Sequence, residues 1–167
     1  NDAISATEQV VTVSTWSAEV RQEATELLSE LRARQQQSSR DRAFLEWDEK
    51  SRMRYAYGIE VEGVLDEFQM AFRDWGLDLH GPVAPAAAFV RQSPIREQII
   101  GALDAYSFDV RVEDDGGVWR KMLAIAIAVD EDPWQSAVRE AVLAADAERL
   151  LELSRSTKGS GASAEAL

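Results

Sequence analysis

The chain has 167 residues, of which 30 are acidic and 18 basic, for a net charge of −12. That balance argues against nucleic acid, because phosphate binding needs clustered lysine and arginine; it equally disfavours an anionic membrane. The absence of cysteine excludes a disulfide framework and thiolate metal sites, which is compatible with the cytoplasm. No apolar run approaches the ~18 residues of a membrane span, and "NDAISATEQVV" lacks the layout of a signal peptide. It also lacks an initiator methionine, which points to an excised or processed fragment.

Residues 1–14 are small, polar and non-periodic and read as a linker. From Trp16 the pattern turns helical. Val20, Ala24, Leu27 and Leu31 recur at spacings of four, three and four, the stripe of a short coiled-coil seam. The stripe ends at "RARQQQSSRDR", residues 32–42, where the helix either continues as an exposed arm or breaks. Phe44, Leu45 and Trp47 then restore apolar character and are placed to dock on the core. The expectation is a long helix over 15–50, followed by a compact helical domain over 51–154 and a flexible tail over 155–167.

In the compact part, Val64, Leu65, Phe68, Phe72 and Trp75 have helical spacing, and Gly76 is a natural stop. The prolines of "GPVAP", residues 81–85, exclude helix interior, so a short helix is expected from Ala86 to Arg91. Ser93-Pro94 reads as a cap with proline at the first helical position. Ile95, Ile99, Ala102, Leu103 and Tyr106 form the next apolar stripe. "SFDVRV", residues 107–112, is the one plausible strand, and it has no evident partner. "EDDGG" is a turn, and "VWRKMLAIAIAVD" is apolar enough for a central helix. The fold class is therefore all-α: a long N-terminal helix plus a multi-helix bundle.

"DEDPWQSAVREAVLAAD", residues 130–146, carries the sharpest question of chemistry. Asp132 precedes Pro133 and stands three residues before Gln135. That is the spacing of a helix N-terminus with a capping aspartate. Trp134 is expected to point inward with Val138, Ala141 and Val142. Asp146 opens a last helix whose Leu150, Leu151 and Leu153 close the domain. Read as a calcium loop from Asp130, the run fails, because Trp134 and Gln135 fall where a ligand and glycine belong. His80 is the single histidine and has no signalled partner. Glycine-rich phosphate loops and kinase motifs are absent. The reading assigns no catalytic residue, no cofactor and no metal. Trp75, Trp119 and Trp134 are expected in the core. Trp16, Val20, Leu27, Leu31 and Trp47 are the candidate contacts to a protein partner, including a second copy.

Several blocks carry a family resemblance. They are Phe72, Gly76, Leu77 and Asp78, then Arg91 and Pro94, then Leu103-Asp104. The last comprises Trp119, Leu123, Ala126, Asp130, Asp132-Pro133-Trp134, Arg139, Asp146 and Leu150-Leu151. Across about residues 17–154 this resembles a helical segment of large planctomycete-type bacterial signalling proteins. There it follows a serine/threonine protein kinase domain and leads into tetratricopeptide or WD40 repeats. Gln135 stands where such segments carry arginine, and residues 60–64 lack their Asp/Ala-rich lead-in. The resemblance implies a non-catalytic module that connects, spaces or dimerises its neighbours. The alternatives are a stand-alone dimeric adaptor and a carboxylate- or metal-dependent enzyme.

Overall fold

A computed structural model of the chain describes residues 17–56, 64–113 and 117–156. Among these the chain is all-α, with seven helices and no strand. They are α1 (Ala18–Ala56), α2 (Val64–Trp75), α3 (Val83–Arg91), α4 (Arg96–Glu113), α5 (Val118–Val129), α6 (Pro133–Ala144) and α7 (Ala147–Arg155). Two compact units divide the chain, Asn1–Glu46 and Trp47–Leu167. α1 gives its first 29 residues to the first unit and its last ten to the second.

α1 contains neither glycine nor proline, and alanine, leucine, glutamate, glutamine and arginine dominate it. All five are strong helix formers. Ser17 starts it, accepting at Oγ from the Val20 amide (3.4 Å) while its carbonyl accepts from the Arg21 amide (3.1 Å). The polar stretch 32–42 does not break the helix. Ser39 donates its hydroxyl back to the Gln35 carbonyl (3.0 Å), Gln37 donates to Asp41 (2.9 Å) and Arg34 to Glu30 (2.7 Å). Each bond spans four residues, one turn of helix. The helix also continues past residue 50, to Ala56.

In the second unit α5 is central and packs on α3, α4 and α6; α4 also meets α2, and α7 packs on α6. The described side chains of the predicted stripes are buried, while those of Val64 and Leu65 lie outside the described ones. Phe68, Phe72 and Trp75 from α2 are 0–2% exposed, as are Ile99, Ala102, Leu103, Tyr106 and Val110 from α4. Ile95, just before α4, is also buried. Leu77 and Leu79, in the link after α2, join this core. Gly76 ends α2 in a left-handed conformation (φ 119°). Its amide bonds the Arg73 carbonyl and the Leu77 amide bonds that of Phe72, the double closure of a Schellman motif.

Four expectations are corrected. Residues 107–112 are not a strand but part of α4. Their β-favouring side chains yield to tertiary packing, because Tyr106 and Val110, one turn apart, are both 1% exposed. α3 begins at Val83, not Ala86. Pro82 is its N-cap and Pro85 falls in its first turn, where a missing amide hydrogen costs no helical bond. Leu151 does not close the domain; it is 51% exposed, while Leu153 is buried. Trp75 and Trp119 are core residues (1% and 5% exposed), but Trp134 is half-buried, its indole N–H donating to Ser156 Oγ at 3.0 Å.

The DPW turn is a helix start. Asp132 Oδ1 accepts from the amides of Trp134 (2.8 Å) and Gln135 (3.4 Å), with Pro133 at the first helical position. Asp146 does the same for α7 through the Arg149 amide (2.9 Å). Of the predicted "EDDGG" turn, residues 114–116 lie outside the described residues, as do residues 1–16 and 157–167.

Candidate interaction site

The candidate contacts fall in different settings. Trp16 lies outside the described residues. Val20 and Leu27, seven residues apart on one face of α1, are 43% and 51% exposed. Ala24 and Leu31 are half-buried. The buried leucine of this segment is Leu28, at 5%, one residue beyond the predicted seam position. The open side of the first unit's helix therefore runs through Val20, Glu23, Leu27, Glu30, Arg34 and Arg42, all exposed and separated by three, four or eight residues. At 100° per residue Val20 to Arg34 stay within ~80° of one another, and Arg42 flanks them, ~80° round the helix from Arg34 and next in sequence to the buried Asp41.

Trp47 belongs to the second unit and is engaged there. Its ring meets Phe68 edge-on (centroids 5.7 Å), Phe72 (6.4 Å) and Tyr106 (5.2 Å), and Phe68 stacks on Tyr106 at 4.1 Å. Its indole N–H donates to Glu67 Oε1 at 3.1 Å, and Arg54 donates to the same oxygen. The Arg54 hydrogen bond, opposed by burial and aided by the indole, holds the Glu67 carboxyl below the usual carboxylate range. Trp47, Lys50, Met53, Arg54 and Glu67 line an open depression, in which Met53 is 49% exposed.

Two polar clusters join residues that no apolar pattern brings together. Tyr106 donates its hydroxyl to Asp48 Oδ1 at 2.7 Å, and Arg52 donates to Asp48 Oδ2 at 2.9 Å. Burial first, and then the hydrogen bond and charge of Asp48, push the Tyr106 phenol far above its ordinary pKa. The second cluster centres on Arg139, which is 4% exposed. It grips Asp104 with two parallel bonds (2.7 and 2.6 Å) and donates a third to Asp130 Oδ2 (2.6 Å). Asp130 Oδ1 also accepts from the Asp132 amide at 2.9 Å. Burial alone would raise the Asp130 carboxyl. The bonds from Asp132 and Arg139, with the charges of Arg139 and Arg96, outweigh it and lower its pKa. The cluster pins α4, the turn before α6 and α6 itself.

Among the described residues no group of three or more His, Asp or Glu side chains is placed to hold a metal. No helix among them is long and apolar enough to cross a membrane. His80 is exposed, its Nε2 3.0 Å from Gln69 Oε1. Lys121 Nζ donates to the His80 and Gly81 carbonyls, which fixes this loop against α5.

The signal for Asp48 was present in the sequence. Asp41, Phe44, Asp48 and Ser51 recur at three, four and three, and all four are buried. A polar residue repeating in phase with an aromatic marks a buried polar face, which an apolar-only pattern misses. Arg139 has no such local signal, since Asp104 is 35 residues away.

No family model, no curated protein and no solved structure matches this chain.

Proposed function

We propose that this chain is a non-catalytic helical interaction and spacer module of a larger bacterial signalling protein, making protein–protein contacts through the open stripe of α1. The observation that carries the reading is the exposure of Val20 and Leu27 on one face of α1, while Leu28 and Phe44 of the same helix are buried. Helix stability in proteins comes mainly from packing an apolar face. Two large aliphatic side chains facing water at the same seam position fit a surface that is covered when a partner arrives. The second unit supports the spacer half of the reading, with a buried aromatic core of its own.

The test is a thermal melt of the full chain carrying Val20→Lys and Leu27→Lys, made dilute and in ~1 M salt so that loss of a bound partner does not itself move the midpoint. If the stripe serves contact, the midpoint stays within about 2 °C of the unsubstituted chain, as surface changes do. Leu28→Lys, one residue further on, lowers it sharply, because Leu28 is buried. A large drop from the Val20/Leu27 pair would make these residues part of the fold and end the reading. The link to a kinase and a repeat array is tested on the flanking open reading frame. H-R-D and D-F-G motifs upstream with repeats downstream support it, and a different neighbour on both sides refutes it.

A further inference from the structure

We infer that the partner of the α1 stripe is a second copy of this chain, bound antiparallel. The inference rests on the preceding reading of the stripe as a contact surface, and it deepens that reading by naming the occupant and its direction.

Charge is ordered along the helix. Residues 17–30 hold four glutamates (19, 23, 26, 30) against Arg21. Residues 31–45 hold four arginines (32, 34, 40, 42) against Asp41, in a chain that is otherwise strongly acidic. On the open stripe the same order appears: Glu23 and Glu30 in its first half, Arg34 and Arg42 in its second. Laid parallel and in register, two copies would set Glu23 on Glu23, Glu30 on Glu30 and Arg34 on Arg34. Laid antiparallel, with the crossing at residues 32–33, Glu23 of each copy falls opposite Arg42 of the other, and Glu30 comes within one residue of Arg34, so that the Glu30–Arg34 pair already closed within each helix meets its copy. The same register brings Leu27 against Ser38 and Leu31 against the aliphatic stem of Arg34, which shields part of the leucine while keeping its charge in water. Charge order thus selects both the occupant and its orientation. Only a chain with a basic segment complements the acidic half, and this chain carries one on the same helix.

The pairing is electrostatic, with a thin apolar centre, so it is salt-sensitive. Exposed pairs weaken as the Debye length falls from ~10 Å at 0.1 M salt to ~3 Å at 1 M.

The experiment uses the full chain and light scattering at high micromolar concentration. The unsubstituted chain is expected to show the mass of a dimer in low salt and of a single chain in 1 M salt. Glu23→Arg with Glu30→Arg, and separately Arg34→Glu with Arg42→Glu, each give single chains. A one-to-one mixture of these two variants restores the dimer. Orientation is read by disulfide formation, which is clean because the chain has no cysteine of its own. Leu27→Cys mixed with Ser38→Cys cross-links, whereas Ser38→Cys alone does not, its copies lying ~16 Å apart along the axis at ~1.5 Å per residue. A single chain under every condition, or a dimer indifferent to the charge reversals, overturns the inference. Efficient cross-linking of Ser38→Cys alone overturns the antiparallel arrangement. If the melt of the Val20/Leu27 variant is unchanged while the chain never self-associates, only the self-pairing falls and the contact reading stands.

Discussion

The two units are built on opposite terms. From Ala18 to Glu46, one helix is held by its own backbone bonds, by one-turn pairs such as Glu30–Arg34, and by few buried side chains, of which Leu28 and Phe44 are the large apolar ones. From Trp47 onward, aromatic rings from α1, α2 and α4 interlock, and charged groups are sequestered in fully bonded clusters. A helix of the first kind leaves apolar surface open for contact; a bundle of the second kind keeps it for its own stability. The contrast predicts that single substitutions in the second unit are costly and those on the open stripe of the first are nearly silent.

The largest effect is expected at Trp75, 1% exposed and tilted against Phe89 with ring centroids 4.9 Å apart. Trp75→Ala should lower the unfolding free energy by about 3–5 kcal/mol, as truncation of core aromatics does. Chemical denaturation measures it; a loss below ~1 kcal/mol would break the contrast between the units. Trp134→Ala, at a half-buried position, falls short of Trp75→Ala.

Next comes Arg139. Replacing it by methionine leaves Asp104 and Asp130 without their shared cation and costs about 2–3 kcal/mol. That lies below the penalty for a fully buried pair, because Asp104 keeps a 35% exposed side chain. The pH dependence carries the signature. Asp130 has a lowered pKa in the folded chain, so its contribution is present above the unfolded carboxylate pKa and is lost as pH falls below about 4. Acid titration of stability should therefore be shallower in Arg139→Met than in the unsubstituted chain, and equal slopes would remove Asp130 from the account.

Local chemistry was legible in the sequence and distant chemistry was not. Asp132, Gly76 and the stripe from Ile95 to Tyr106 could be placed because a cap, a left-handed stop and a helical period act within a turn or two of chain. Leu27 and Leu28 could not be told apart. Adjacent leucines serve equally well as a seam in a pattern of two heptads, and which one is covered depends on what packs there. The strand expected at 107–112 followed local preference, which a buried Tyr106–Val110 face overrides. At the candidate site, spacing puts Val20 and Leu27 on one face of the helix, and both are exposed. Spacing alone leaves Trp47 open to the core or to a partner, because nothing local announces Phe68 and Tyr106 as its neighbours, 21 and 59 residues further along.

A smaller effect is expected at Tyr106. Its hydroxyl bonds Asp48 at 2.7 Å inside the aromatic cluster. Tyr106→Phe removes one bond to a charged acceptor that Arg52 still neutralises, and costs about 1–2 kcal/mol. The phenol is raised in the folded chain by burial first and by Asp48 next. Its contribution is complete below the unfolded tyrosine pKa of about 10 and is lost as pH rises above it. The unsubstituted chain should therefore lose stability above pH ~10 more steeply than Tyr106→Phe.

The smallest effect is a gain, and it sits where α6 ends. Ala145 adopts a left-handed conformation (φ 53°) so that its amide bonds the Val142 carbonyl and the Asp146 amide that of Ala141. This is the closure that Gly76 performs for α2, but here the residue has a Cβ that crowds the following carbonyl. The same turn must release Asp146 to cap α7, so the geometry is fixed from both sides. Ala145→Gly relieves the crowding at the expense of a freer unfolded chain, for a net stabilisation of about 0.5–1 kcal/mol. Thermal denaturation reads it as a rise of a few degrees. A fall would mean that the unfolded-state entropy outweighs the strain. The corresponding change in the first unit, Ala24→Gly, goes the other way. It lies inside a continuous helix, where glycine costs about 1 kcal/mol of helix propensity and relieves nothing.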